Sequence, residues 1–197
     1  MQLMPTTELK QAVNQYLLNS TYINEFPPEG PAGIALQEGC SSTAYKDTRG
    51  RWTIGIGHTP AYPGEVWSNE TIMSIFFNDI YSKGYLPVNQ QLPWVAQLSP
   101  QRKWVNYNAS FNMGIGSWSM FDQTFQSMQN GNLLGVLEGM MNSPWYRTQD
   151  PNRVRALMYQ YYFDQWVIGY LTPKQNNILN NVINDLGMPF QPNPVSV

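Results

Sequence analysis

A short stretch of this 197-residue chain alternates with a period of two, and helical spacing dominates elsewhere. Residues 44–47 and 51–56, joined by Thr48-Arg49-Gly50, predict a β-hairpin with Trp52, Ile54 and Ile56 on one face and Thr53 on the other. Gly55 and Gly57 thin the return strand and allow a second group to come close. Ser68-Asn69-Glu70 is a good helix start for a run through Tyr85, which Pro87 and Pro93 are expected to break. From Pro100 onward the apolar spacing predicts helices over 101–113, 121–129, 133–141, 152–166 and 173–186. One hairpin in a largely helical chain is an α+β pattern.

Composition removes several function classes. Eleven Lys and Arg against 13 Asp and Glu give a formal charge of -2, so no global basic field marks a nucleic-acid binder. Charged residues are only 12% of the chain, but 14% aromatics supply ample apolar material for a core. A single cysteine, Cys40, and a single histidine, His58, rule out an intrachain disulfide and the usual Cys/His zinc cage. No apolar run is long enough to span a bilayer, and the start MQLMPTTELK lacks the pattern of a signal peptide, so a soluble product is expected.

The N-terminal residues place Leu9, Val13, Tyr16 and Leu17 at helical spacing over 7–18, an accessory helix. Residues 26–33, Phe-Pro-Pro-Glu-Gly-Pro-Ala-Gly, concentrate the two strongest breakers and read as a linker, followed by a short helix over 33–39 and turn material at 41–43. The expected division is therefore 1–32 as an extension, 33–171 as the body, and 172–197 as a C-terminal helix with an extended tail from Gly187 onward.

The chemistry concentrates between Glu38 and His58. One carboxylate falls at a helix end, Asp47 on the first hairpin strand, and the Thr53 hydroxyl on the return strand. Glycosidic cleavage needs a proton donor for the leaving oxygen and, in an inverting enzyme, a carboxylate across the ring to activate water. A hydroxyl beside that carboxylate helps to aim the water. Taken singly, the three also suit a solvated helix end, a turn-flanking acid and an ordinary strand residue.

The whole string resembles the catalytic segment of the phage T4-type lysozymes, glycoside hydrolase family 24: Glu38-Gly39, Tyr45-Lys46-Asp47, Gly50, then Thr53-Ile54-Gly55-Ile56-Gly57-His58. Asn108-Ala109-Ser110-Phe111-Asn112-Met113-Gly114, Trp145-Tyr146 and Asp150-Pro151-Asn152-Arg153 extend the likeness to roughly 33–166. The resemblance implies a lysozyme-like α+β fold with a small hairpin lobe, a larger helical lobe and a sugar-binding cleft between them. It implies Glu38 as the acid, Asp47 and Thr53 as the pair that directs water, and Arg153 beside the acid. His58 is expected to brace the hairpin against the lobe junction, in support of the site. Thr59, Phe111 and Thr124 fall on positions that contact the saccharide, whereas Gly139 stands where a relative carries a polar side chain. The spacer from His58 to Ser68 is shorter than in the namesake enzyme, so one small-lobe helix is expected to be missing. Trp104, Trp145 and Trp166 read as core rather than as sugar platforms. Lys46, Arg49, Arg51, Arg147, Arg153 and Arg155 are expected to border the cleft and attract an anionic wall polymer.

The implied activity is a muramidase acting on peptidoglycan, with no cofactor and no metal. A lytic transglycosylase needs no water-activating carboxylate, so Asp47 and Thr53 weigh against it, and a non-catalytic wall-binding or virion protein has no reason to keep all three groups. An endolysin made in the host cytoplasm, a virion-borne lysozyme and a bacterial effector remain open as settings. The N-terminal extension is the expected contact for a virion or regulatory partner.

Overall fold

The computed structural model describes residues 4–47, 49–185 and 187. It is mostly helical with a two-stranded antiparallel sheet, the expected α+β, lysozyme-like architecture. Thr48, Leu186 and the expected tail over 188–197 lie outside the described residues.

Helix α1, Thr6–Leu18, buries Leu9, Val13 and Leu17 at four-residue steps and packs against α2, Glu29–Glu38. These side chains and Phe26 belong to the same hydrophobic cluster as the helical body. The linker expected over 26–33 is therefore not seen, and a boundary between residues 32 and 33 would fall inside α2. The reason is packing. Gly30 lies directly under the Trp104 ring, where a Cβ would clash, and Pro31 sits in the first helical turn, where its missing N–H would have no intrahelical partner anyway. Gly39 ends α2 at φ 73°, a conformation that favours glycine.

Strands β1, Ser41–Lys46, and β2, Trp52–Gly55, pair Tyr45 with Thr53 and Lys46 with Trp52. Residues 41–43, expected as a turn, form the start of β1 because the loop after His58 returns to pair with them. Ala44 N–H donates to the Glu65 carbonyl and Trp67 N–H to the Ser42 carbonyl, both at 2.9 Å. No helix forms between His58 and Ser68, which matches the short spacer.

Helix α3, Asn69–Asp79, starts under a Ser68 cap whose hydroxyl accepts from Thr71 N–H. It runs without a break through a π-helical segment, Ile80–Tyr85, into α4, Leu86–Gln91, so Pro87 lies within a helical run rather than ending one. The central α5, Pro100–Met113, is buried from Trp104 to Ser110 and ends at Gly114. The short α6, Ile115–Trp118, then α7, Asp122–Gln129, and α8, Leu133–Met141, build the far side of the helical lobe. Helix α9, Pro151–Phe163, is buried from Arg153 to Tyr161, and α10, Pro173–Asp185, docks through Leu179 and Ile183. Arg155, expected at the cleft, is 2% exposed and donates to Asn176 and Asn180 of α10.

Candidate active site

A cleft of about 1300 Å³ opens between the hairpin and the helical lobe. Glu38, Asp47 and Thr59 line it from one side, and Phe111 and Thr124 from the helical side. The fold thus brings together five of the residues singled out from sequence. Thr53, His58 and Arg153 lie behind the wall.

Glu38 is the last residue of α2, so the chain turn at Gly39 leaves its side chain at the cleft edge. Its Oε1 accepts from Arg153 Nη2 at 2.7 Å. Its Oε2 packs over Gly57, where a Cβ would stand 2.7 Å away and where φ is +68°. Glycine at 57 is therefore needed twice, for the backbone and for the carboxylate. Arg153 is 2% exposed, and its Nε also forms an ion pair with Asp150 Oδ2 at 3.2 Å. Asp150 also caps α9 by accepting from the Arg153 N–H. Burial opposes the guanidinium charge, but the Glu38 and Asp150 carboxylates outweigh it and raise the Arg153 pKa further. The loop after α9 grips the last turn of α2: Gln37 Nε2 donates to the Gly169 carbonyl and the Tyr170 hydroxyl to the Gln37 carbonyl.

Asp47 follows β1 at the mouth of the hairpin. Its Oδ1 accepts from the Arg49 and Arg51 N–H groups, and its Oδ2 meets Arg51 Nε and Nη2, all at 2.8 to 2.9 Å. Desolvation works toward a higher pKa, but the bonds from Arg51 and Arg49 and the Arg51 charge prevail, so the carboxyl lies below its usual range. Asp47 is thus an ionised acceptor whose orientation is set by the turn.

Thr53 is 4% exposed, and its hydroxyl reaches the Arg51 carbonyl at 3.4 Å. His58 Nδ1 lies 2.8 Å from Asp79 Oδ2, and its backbone exchanges two hydrogen bonds with Ile54, which joins the hairpin to α3. Trp104 and Trp145 are core residues, but Trp145 also borders the cleft, with its Nε1 donating to Asn112 Oδ1 at 3.1 Å. Trp166 is only partly buried against the core. The space that a side chain at Gly139 would need is taken by the Thr124 hydroxyl. Cys40 is buried, and that burial pushes its thiol up to about 11, far from a nucleophile's range.

Among the cations expected at the cleft, Arg49 and Arg51 line it, whereas Lys46 sits over the Trp52 ring and Arg147 is bonded to Asn142. The sequence reading missed Lys83, Met120 and Asn112, which also line it. The spacing of Asp79 and Lys83, four apart on a helix, was the available signal for Lys83.

The family profile described as Phage lysozyme matches residues 35–159, more than half of the chain. The chain belongs to the phage lysozyme family. Membership gives it a phage peptidoglycan-lytic function and makes it a lytic enzyme of the glycoside hydrolase kind that acts on the bacterial cell wall. A search of curated proteins returns no match. The matched span runs from α2 to α9, so it contains Glu38 and Asp47 and leaves α1 and α10 outside. Among the described residues no helix is long and apolar enough to cross a membrane.

Proposed function

We propose that the chain is a muramidase that hydrolyses the β-1,4 bond between N-acetylmuramic acid and N-acetylglucosamine, with inversion, in the lysis of a bacterial host by a phage. The observation that carries the reading is that the carboxylates of Glu38 and Asp47, from separate elements, line one cleft of about 1300 Å³. In this scheme Glu38 protonates the leaving oxygen. Arg153 fixes one carboxylate oxygen and leaves Oε2 over Gly57 for the proton. Asp47, ionised and held by the turn, accepts a proton from the attacking water on the other face of the ring. Thr53 joins Asp47 in holding that water only if its hydroxyl turns away from the Arg51 carbonyl, a rotation about one side-chain bond. His58 supports the site by keeping the hairpin on α3, and Thr59, Phe111 and Thr124 contact the saccharide.

Glu38→Gln keeps size and hydrogen-bonding capacity and removes the proton. Turnover of purified peptidoglycan should fall by about a hundredfold or more while the thermal midpoint is retained. Near-normal clearing by the folded variant would remove Glu38 from the acid's role. Mass spectrometry of the parent's products should find reducing muropeptides; anhydro ends would replace hydrolysis with transglycosylation.

A further inference from the structure

The helix that begins at Asn69 changes pitch before Pro87. Across Ile80–Tyr85 it is π-helical, and the Leu86 N–H reaches the Tyr81 carbonyl five residues back. Such turns are rare and concentrate at functional sites. Two contacts seat this one on α5. The Ser110 hydroxyl donates to the Lys83 carbonyl at 2.7 Å, where Pro87, four residues on, has no N–H to give. Gly84 lies so close to α5 that a Cβ would stand 2.8 Å from the Tyr107 carbonyl oxygen. Ser110 itself borders the cleft, and so does Lys83.

The Lys83 ammonium is 2.9 Å from Asp79 Oδ2, the same oxygen that meets His58 Nδ1. Asp79 is buried, with a side chain 6% exposed, whereas that of Lys83 is 42% exposed. An ammonium has three N–H donors, and this carboxylate oxygen engages one. Arg51, by contrast, commits both Nε and Nη2 to Asp47. Lys83 is thus a tethered cation on the helical side of the cleft with donors to spare.

We propose that Lys83 binds a carboxylate of the wall polymer, an inference that rests on the lytic reading above. Peptidoglycan offers this group from two sources: the stem peptide, or the lactyl ether of N-acetylmuramic acid once the peptide is removed. N-acetylglucosamine offers none.

The test titrates the full-length parent and Lys83→Met, by fluorescence, with three purified ligands: peptide-bearing glycan fragments, the same glycans stripped by an amidase, and N-acetylglucosamine oligomers. Lys83→Met should weaken binding by up to about fivefold on a carboxylate-bearing ligand and much less on the N-acetylglucosamine oligomers. A loss confined to the peptide-bearing fragments assigns the stem peptide, and a loss on the stripped glycans assigns the lactyl group. Lys83→Arg, which keeps the charge, should restore most of the affinity. An equal loss on all three ligands, or none, would overturn the assignment and leave the lytic reading intact if the parent still cleaves walls. A parent that does not cleave walls would overturn both.

Discussion

Leu17 and Leu18 are neighbours on α1 with opposite environments, 1% and 68% exposed. If α1 is part of the folded body, Leu17→Ala leaves a cavity in the core cluster to which Leu9, Val13 and Phe26 also belong. Such truncations cost about 2–5 kcal/mol. A central value of about 3 kcal/mol lowers the midpoint of a protein this size by roughly 6–12 °C. Leu18→Ala removes the same atoms from a solvated position and should stay within about 0.5 kcal/mol of the parent. Thermal unfolding followed by circular dichroism measures both. Wall clearing well below either midpoint should match the parent, since neither residue lines the cleft. Equal midpoints for the two variants would refute the packing argument and restore α1 as a free docking arm.

Three further outcomes test the site. Gly57→Ala meets both a left-handed backbone and the Glu38 carboxylate, whereas Gly50→Ala, at φ +75° with nothing within 4 Å, meets the backbone strain alone. Both should lose about 1–2 kcal/mol of stability, but only Gly57→Ala should also lose most of its turnover. Arg51→Met removes a charge that lowers the Asp47 pKa, so that pKa rises and the acid limb of the pH–rate profile should move to higher pH; an unmoved limb would separate Asp47 from the base's role. The same sign governs stability, because a depressed carboxyl contributes above its unfolded pKa and loses that contribution as pH falls through the folded one. Asp47→Ala should reduce hydrolysis more than Thr53→Val, and kinetics on purified peptidoglycan that reversed this order would give Thr53 the larger part in handling water.

What could be read from sequence was local. The hairpin, the Gly39 stop, the Ser68 cap and the turn that holds Asp47 depend on residues within a few positions of one another, and each appeared close to where the pattern placed it. Linker chemistry over 26–33 misled because the breakers there are used by tertiary contacts: a glycine needed under Trp104 and a proline in a first helical turn. Arg153 and Arg155 differ by two positions, or about 200° around a helix, and both are 2% exposed. One faces Glu38 and the other α10, and only knowledge of what packs on each face separates a residue of the site from one that docks a helix.

The same logic explains why the Glu38 carboxylate is found where it is. Glu38 is positioned by three segments distant in sequence: Arg153 on α9, Gly57 after β2, and the 169–170 loop through Gln37. Each acts on the final turn of α2, whose other residues from Gly30 to Ala35 are buried. A helix fixed along its length with its last side chain at the cleft leaves the carboxylate little freedom beyond its own rotamers. Preorganisation of this kind puts the cost of ordering the Glu38 side chain into folding rather than into each turnover. Disturbing any one of the three supports should therefore lower kcat more than it raises KM, because the support acts on the acid and not on the saccharide.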